Sequence, residues 1–135
     1  MYAFSNQHEL YGVLQSLFKE VEKQPTLIRD FVHSNLVVRI SLVNPNAEVL
    51  LDGRQPPLGV FFGSRPGEAN FEISLESELL HSIWMSQQSL VETLFSGKIQ
   101  TKGNVMRAQP FLDLLSGCAP LYQNLRAADD KVRDD

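Results

Sequence analysis

Cysteine is almost missing. Cys118 is the single one in 135 residues, so neither an internal disulfide nor a cysteine-built zinc site can form within the chain. That economy is compatible with a reducing compartment. Histidine is scarce too: His8, His33 and His81 are the three, and none stands at a spacing that metal ligation or acid–base pairing uses. Each reads as a surface or helix-flank residue, and Cys118, between Gly117 and Ala119, as a small buried one. No run reaches the ~18 apolar residues of a membrane-spanning helix. Positive charge is in deficit, with 12 Lys and Arg against 16 Asp and Glu and a net charge of −4, which disfavours nucleic acid as a partner.

Catalytic motifs are absent as well. No glycine-rich stretch ends in the Gly-Lys-Ser or Gly-Lys-Thr of a phosphate loop. Gly63-Ser64-Arg65-Pro66-Gly67 sets its serine off the centre that a nucleophile elbow requires. Glu72, Glu76 and Glu78 lie close in sequence, but two of them share the polar side of an alternating stretch and read as solvated carboxylates, not a shielded acid pair. No enzyme activity, metal or cofactor is therefore expected. The start Met1-Tyr2-Ala3-Phe4-Ser5-Asn6 has no basic region ahead of an apolar stretch, and Arg133-Asp134-Asp135 is no peroxisomal address, so the expected location is the cytoplasm.

What is present reads as one folded unit. Apolar residues make up 43% and charged residues 21%, a globular composition. We expect a single domain over residues 1–128 and a solvated, frayed acidic tail over 129–135. Leu10, Val13, Leu14, Leu17, Phe18 and Val21 repeat at helical offsets, with Asn6 and Glu9 as a capping box. Pro25 suits the first position of a shorter helix that buries Leu27, Ile28, Phe31 and Val32. The period then falls to two: Leu36, Val38, Ile40 and Leu42 alternate with Val37, Arg39, Ser41 and Val43. Further strands are expected at 48–51, 58–62 and 71–75, separated by turn signals at Asn44-Pro45-Asn46, Asp52-Gly53 and 63–67, and these closely spaced strands imply a largely antiparallel sheet.

Helices return after Ser77, a candidate N-cap, with Leu79, Leu80, Ile83 and Trp84 as an apolar stripe. Ser89 and Glu92 suggest a second capping box, for a short helix carrying Leu90, Val91, Leu94 and Phe95 and stopped by Gly97. Residues 98–102 alternate as a fifth strand. Asn104 is expected to cap a helix toward Leu115, kinked or split at Pro110, and a last turn or two follows Pro120. Large apolar residues crowd 79–125. Most must form core, but several short helices on one sheet can leave a gap, which Met106 and Phe111 are suited to line.

The stretch Phe95-Ser96-Gly97-Lys98-Ile99-Gln100-Thr101-Lys102-Gly103-Asn104 resembles the sterol carrier protein type two domain: Phe, a small residue, Gly-Lys, an alternating strand, then Gly-Asn opening a helix. Phe71-Glu72-Ile73-Ser74-Leu75 with the helix from Ser77 to Trp84 fits the same pattern, and 36–42, 60–62 and the leading helix extend the likeness over most of 5–125. Ser77 stands where the family carries an acidic or polar cap, and Pro110 interrupts the helix after Gly103. The resemblance implies an α+β fold, a five-stranded, mostly antiparallel twisted sheet with helices covering one face. It also implies an apolar tunnel between the sheet and the later helices that takes fatty acid, fatty acyl-CoA, sterol or isoprenoid lipid. Trp84, Phe95, Met106, Phe111, Leu115 and Tyr122 are then the expected wall residues. A lipid or fatty-acyl ligand is the expected partner, and transient membrane-surface contact and a homodimer are compatible with it. Two other readings stay open: an accessory factor that presents an isoprenoid or quinone lipid to biosynthetic enzymes, and a structural or dimerisation module whose core is filled by its own side chains.

Overall fold

A computed structural model describes residues 2–134, with side chains through Asp129; the acidic tail's side chains beyond that point lie outside the described residues. In chain order the elements are α1 (Gln7–Val21), α2 (Pro25–Val32), β1 (Leu36–Val43), β2 (Ala47–Gly53), β3 (Gly59–Phe62), β4 (Phe71–Glu76), α3 (Ser77–Trp84), α4 (Leu90–Phe95), β5 (Gln100–Lys102), α5 (Gln109–Gly117) and α6 (Ala119–Asp134). The five strands form one sheet in the order β3-β2-β1-β4-β5. Three pairings are antiparallel, and β1 with β4 is parallel.

Period-two alternation divides the sheet into two faces. Leu36, Val38, Ile40 and Leu42 of β1 join Val49 and Leu51 of β2 and Phe71, Ile73 and Leu75 of β4 in the core, against the helices. On the opposite face, pairing register aligns Phe61, Leu50, Arg39, Glu72 and Lys102 in one row across all five strands. Arg39 lies 3.1 Å from Glu72 and 3.7 Å from Glu48, and donates to the carbonyls of Arg65 and Gly67. Those contacts tie the 63–70 connection over the outer face as it passes from β3 to β4, and Arg65 stacks on the Phe61 ring at 3.9 Å. An ion-paired arginine that also satisfies two carbonyls leaves its charge little room to move.

Local signals explain most helix ends. Asn6 accepts from the Glu9 amide at 2.8 Å to begin α1, Pro25 sits in the first turn of α2, and Ser89 accepts from the Glu92 amide to begin α4. Three expectations are corrected. Ser77 does not cap α3; its hydroxyl donates to the Pro45 carbonyl at 2.7 Å, and Glu76 occupies the N-cap position with no side-chain bond. Residues 104–108 form a turn, not the start of a long helix: Asn104 Oδ1 accepts from the Arg107 amide, and α5 begins afterwards with Pro110 in its first turn, where a missing N–H costs nothing. The closing helix is α6, 16 residues long, not a turn or two.

Candidate functional site

Two aromatic clusters occupy the layer between the sheet and the helices. In one, Phe111 of α5 meets Phe31 of α2 and Phe71 of β4, with ring centroids 6.4 and 6.0 Å apart. In the other, Phe4, His81, Tyr122 and Trp84 follow one another at 6.0, 5.5 and 4.9 Å. The second cluster is fixed by polar bonds. Trp84 donates from Nε1 to the Leu115 carbonyl at 2.8 Å, and Gln123 donates to the Trp84 carbonyl. The Tyr122 hydroxyl stands 2.5 Å from His81 Nδ1, so with the phenol donating, neutral His81 carries its proton on Nε2. Among the described residues, no buried side-chain nitrogen or oxygen lacks a partner.

The N-terminal segment closes over this cluster. The Ala3 amide donates to Glu78 at 2.6 Å, its carbonyl accepts from Arg126 at 2.8 Å, and the Arg126 guanidinium faces the Phe4 and Tyr122 rings. Burial, then the Arg126 charge, lowers the His81 pKa below its ordinary 6.5, while Glu78 opposes the shift. Burial raises the Tyr122 pKa, which keeps the phenol neutral. Because folded His81 resists protonation, its contribution to stability is complete above pH 6.5 and is lost as pH falls through the lowered folded value. A His81→Gln variant should flatten this acid-side loss, which urea titrations on either side of that pH would measure. An unchanged acid slope would exclude His81 as its source.

A groove of about 370 Å³ opens beside the second cluster. Ile83 and Trp84 of α3, Leu90 of α4 and Ala119 of α6 give it apolar wall, and Ser86, Gln87, Gln88, Ser89 and Ser116 its polar rim. Its volume lies within the ~300–1,000 Å³ typical of small-molecule sites. Cys118 is buried in the adjoining turn, its thiol pushed up to about 12 by desolvation, so it offers no reactive thiolate. The three glutamates do not form one site: Glu76 and Glu78 line an opening together with Lys98, and Glu72 stands apart from them. Glu72 pairs with Arg39 and Lys102, and Glu78 holds the Ala3 amide. The described residues contain no group of three or more histidine, cysteine or acidic side chains able to hold a metal, and no helix among them is long and apolar enough to cross a membrane.

No protein-family model matches the sequence, and no curated protein does. Solved structures do. UbiJ-SCP2, a ubiquinone synthesis protein, matches with a TM-score of 0.58 and 19% identity over 80% of this chain and 88% of its own. Sterol carrier protein 2 of Yarrowia lipolytica, in its apo form, matches with a TM-score of 0.55 and 20% identity over 80% of this chain and 88% of its own. A conserved hypothetical protein of Thermus thermophilus matches with a TM-score of 0.61 and 14% identity over 92% of this chain and 94% of its own. The fold is that of sterol carrier protein 2.

Within this sterol carrier protein 2 fold, four of the six expected wall residues are buried, Trp84, Leu115 and Tyr122 around the second cluster and Phe111 in the first. Phe95 and Met106 are not among them; each is 86% exposed. The six residues of α4 bury only Leu90 and Thr93, leaving Phe95 on the outward side. Met106 falls in the 104–108 turn instead of on a helix that faces the sheet. Spacing did not reveal the His81–Tyr122–Arg126 cluster, because His81 and Tyr122 are 41 positions apart.

Proposed function

We propose that this protein binds a hydrophobic ligand non-catalytically, in the layer between the sheet and the later helices, and carries or presents it. The observation behind this reading is the position of Trp84. It belongs to the buried aromatic cluster and also lines the groove between α3, α4 and the α5–α6 turn, so interior and exterior meet at one side chain. An acyl chain entering there would part α3 from α5 and run among Trp84, Leu115, Tyr122 and Phe111. Burial gains ~0.8 kcal/mol per methylene, so a long chain brings on the order of 10 kcal/mol against the cost of separating those side chains. Such a site needs few polar contacts and suits fatty acid, fatty acyl-CoA, sterol or isoprenoid chains alike. Transfer follows if the same opening releases the ligand, and a quinone presented to biosynthetic enzymes would use the same layer.

A second reading has its own support: the two aromatic clusters pack closely enough for the domain to be a structural or dimerisation module with a filled core. The sole tryptophan separates the two. A brominated fatty acid added to the purified protein should quench Trp84 emission saturably, and native mass spectrometry with solvent extraction should reveal a bound lipid and its class. Unquenched emission together with a ligand-free mass would establish the filled core instead.

A further inference from the structure

Residues 2–5 run from solvent into the aromatic layer. Tyr2 is exposed, whereas Phe4, two residues later, is buried against the His81 ring. The segment has little of its own to hold it there. It lies ahead of α1, and no backbone-to-backbone hydrogen bond joins it to the rest of the described residues. What fixes it is a single residue set between two helices: Glu78 of α3 takes the Ala3 amide, and Arg126 of α6 donates to the Ala3 carbonyl. Each bond has an ionised partner, which makes it stronger than a neutral one. Ala3 thereby staples α3 to α6, and the Ser5 amide, bonded to Glu9 at 2.9 Å, ties the base of the segment to α1.

Phe4 also fills space that a ligand would need. Trp84 lines the groove, and Tyr122, His81 and Phe4 continue from it ring by ring, so Phe4 stands at the far end of the row that an entering acyl chain meets first at Trp84. A close-packed interior admits a chain only where side chains withdraw. Trp84 and His81 belong to α3 and Tyr122 to α6; Phe4 is the ring that can leave without unwinding an element. We propose that residues 2–5 form a releasable latch: Phe4 is a built-in occupant of the ligand layer, and ligand uptake expels it, breaks both Ala3 bonds and frees α3 from α6. The proposal rests on the lipid-binding reading above and adds what must move for the layer to fill. The segment pivots at Ser5, so α1 keeps its Asn6 cap. Release exposes one ring and costs two hydrogen bonds, and the entering chain offsets the loss by occupying the same apolar space.

Stopped-flow quenching of Trp84 by a brominated fatty acid, on the full chain, tests the latch. Glu78→Ala removes the acceptor for the Ala3 amide and leaves every ring in place. It should speed quenching about tenfold, the rise in open population that loss of one hydrogen bond to a charged group produces. Phe4→Ala should do at least as much, and Tyr2→Ser, at an exposed position of the same segment, should change nothing. Hydrogen exchange of the Ala3 amide reads the latch directly: it should accelerate as the fatty acid saturates the protein and be fast from the outset in Glu78→Ala. Quenching confined to the two latch variants would also support the proposal, because a latch shut in the parent chain is then what excludes the ligand. Saturable quenching at one rate in the parent and both variants, or an Ala3 amide equally protected at saturation, would overturn the latch and leave the ligand site standing. Absence of quenching in all three proteins would remove the ligand site and the latch with it.

Discussion

A Phe111→Ala variant is expected to unfold about 3–5 kcal/mol more easily than the parent chain, whereas Met106→Ala should change stability by no more than ~0.5 kcal/mol. The resemblance to the sterol carrier domain implies that both residues line one wall; the structure separates them completely. Phe111 is 0% exposed and joins α5 to α2 and β4 through its rings with Phe31 and Phe71, so truncation leaves a void that three elements share. A loss of that size is a large fraction of the ~5–15 kcal/mol that a domain has in total. For the same reason an acidic residue at position 111 should prevent folding, because an unpaired charge would be buried among aromatic rings. Abolished ligand uptake in such a variant would therefore say nothing about a binding wall. Urea titration of the two alanine variants is the check, and similar midpoints for both would contradict the burial described here.

The contrast shows what the sequence could reveal. Long amphipathic patterns were legible: the six apolar positions of α1 are all buried, and the alternation in β1 and β4 separates core from outer face. Short segments were not. In α4 the apolar stripe suggested Leu90, Val91, Leu94 and Phe95, but a helix of six residues turns only one narrow side to the core, and that side holds Leu90 and Thr93. The extent of α6 was hidden because apolar spacing ends at Leu125; the next buried residue is Arg126, held by the Ala3 carbonyl and two rings instead of by a hydrophobic neighbour. Ser77 read as a cap because its local sequence is that of one, but a tertiary acceptor, the Pro45 carbonyl, took its hydroxyl. Of the candidate site, the aromatic content was legible and its division into buried cluster and exposed edge was not, since that division depends on where chain turns fall.

The most recognisable stretch, Phe95 to Asn104, is also where the backbone leaves least choice, and this leads to an expected difference between its two glycines. Both have positive φ, +87° at Gly97 and +116° at Gly103. A Cβ at Gly97 would meet nothing within 4 Å, so Gly97→Ala should cost only the conformational strain, about 1–2 kcal/mol. At Gly103 it would lie 2.6 Å from the Asn70 carbonyl oxygen and 3.3 Å from the Phe71 Cα. Neither can retreat readily. Asn70 is fastened to Val37 of β1 from both sides, its amide donating to the Val37 carbonyl and its side-chain oxygen accepting from the Val37 amide. The strain is therefore thrown onto β5, a strand held by only the Glu72–Lys102, Ile73–Thr101 and Ser74–Gln100 pairings. Gly103→Ala should cost about 3 kcal/mol or more in total and raise hydrogen exchange selectively in the β4–β5 amides, with the β1–β2 amides unchanged. Equal, small losses for the two alanine variants would mean that β5 does not pack against the start of β4 as described.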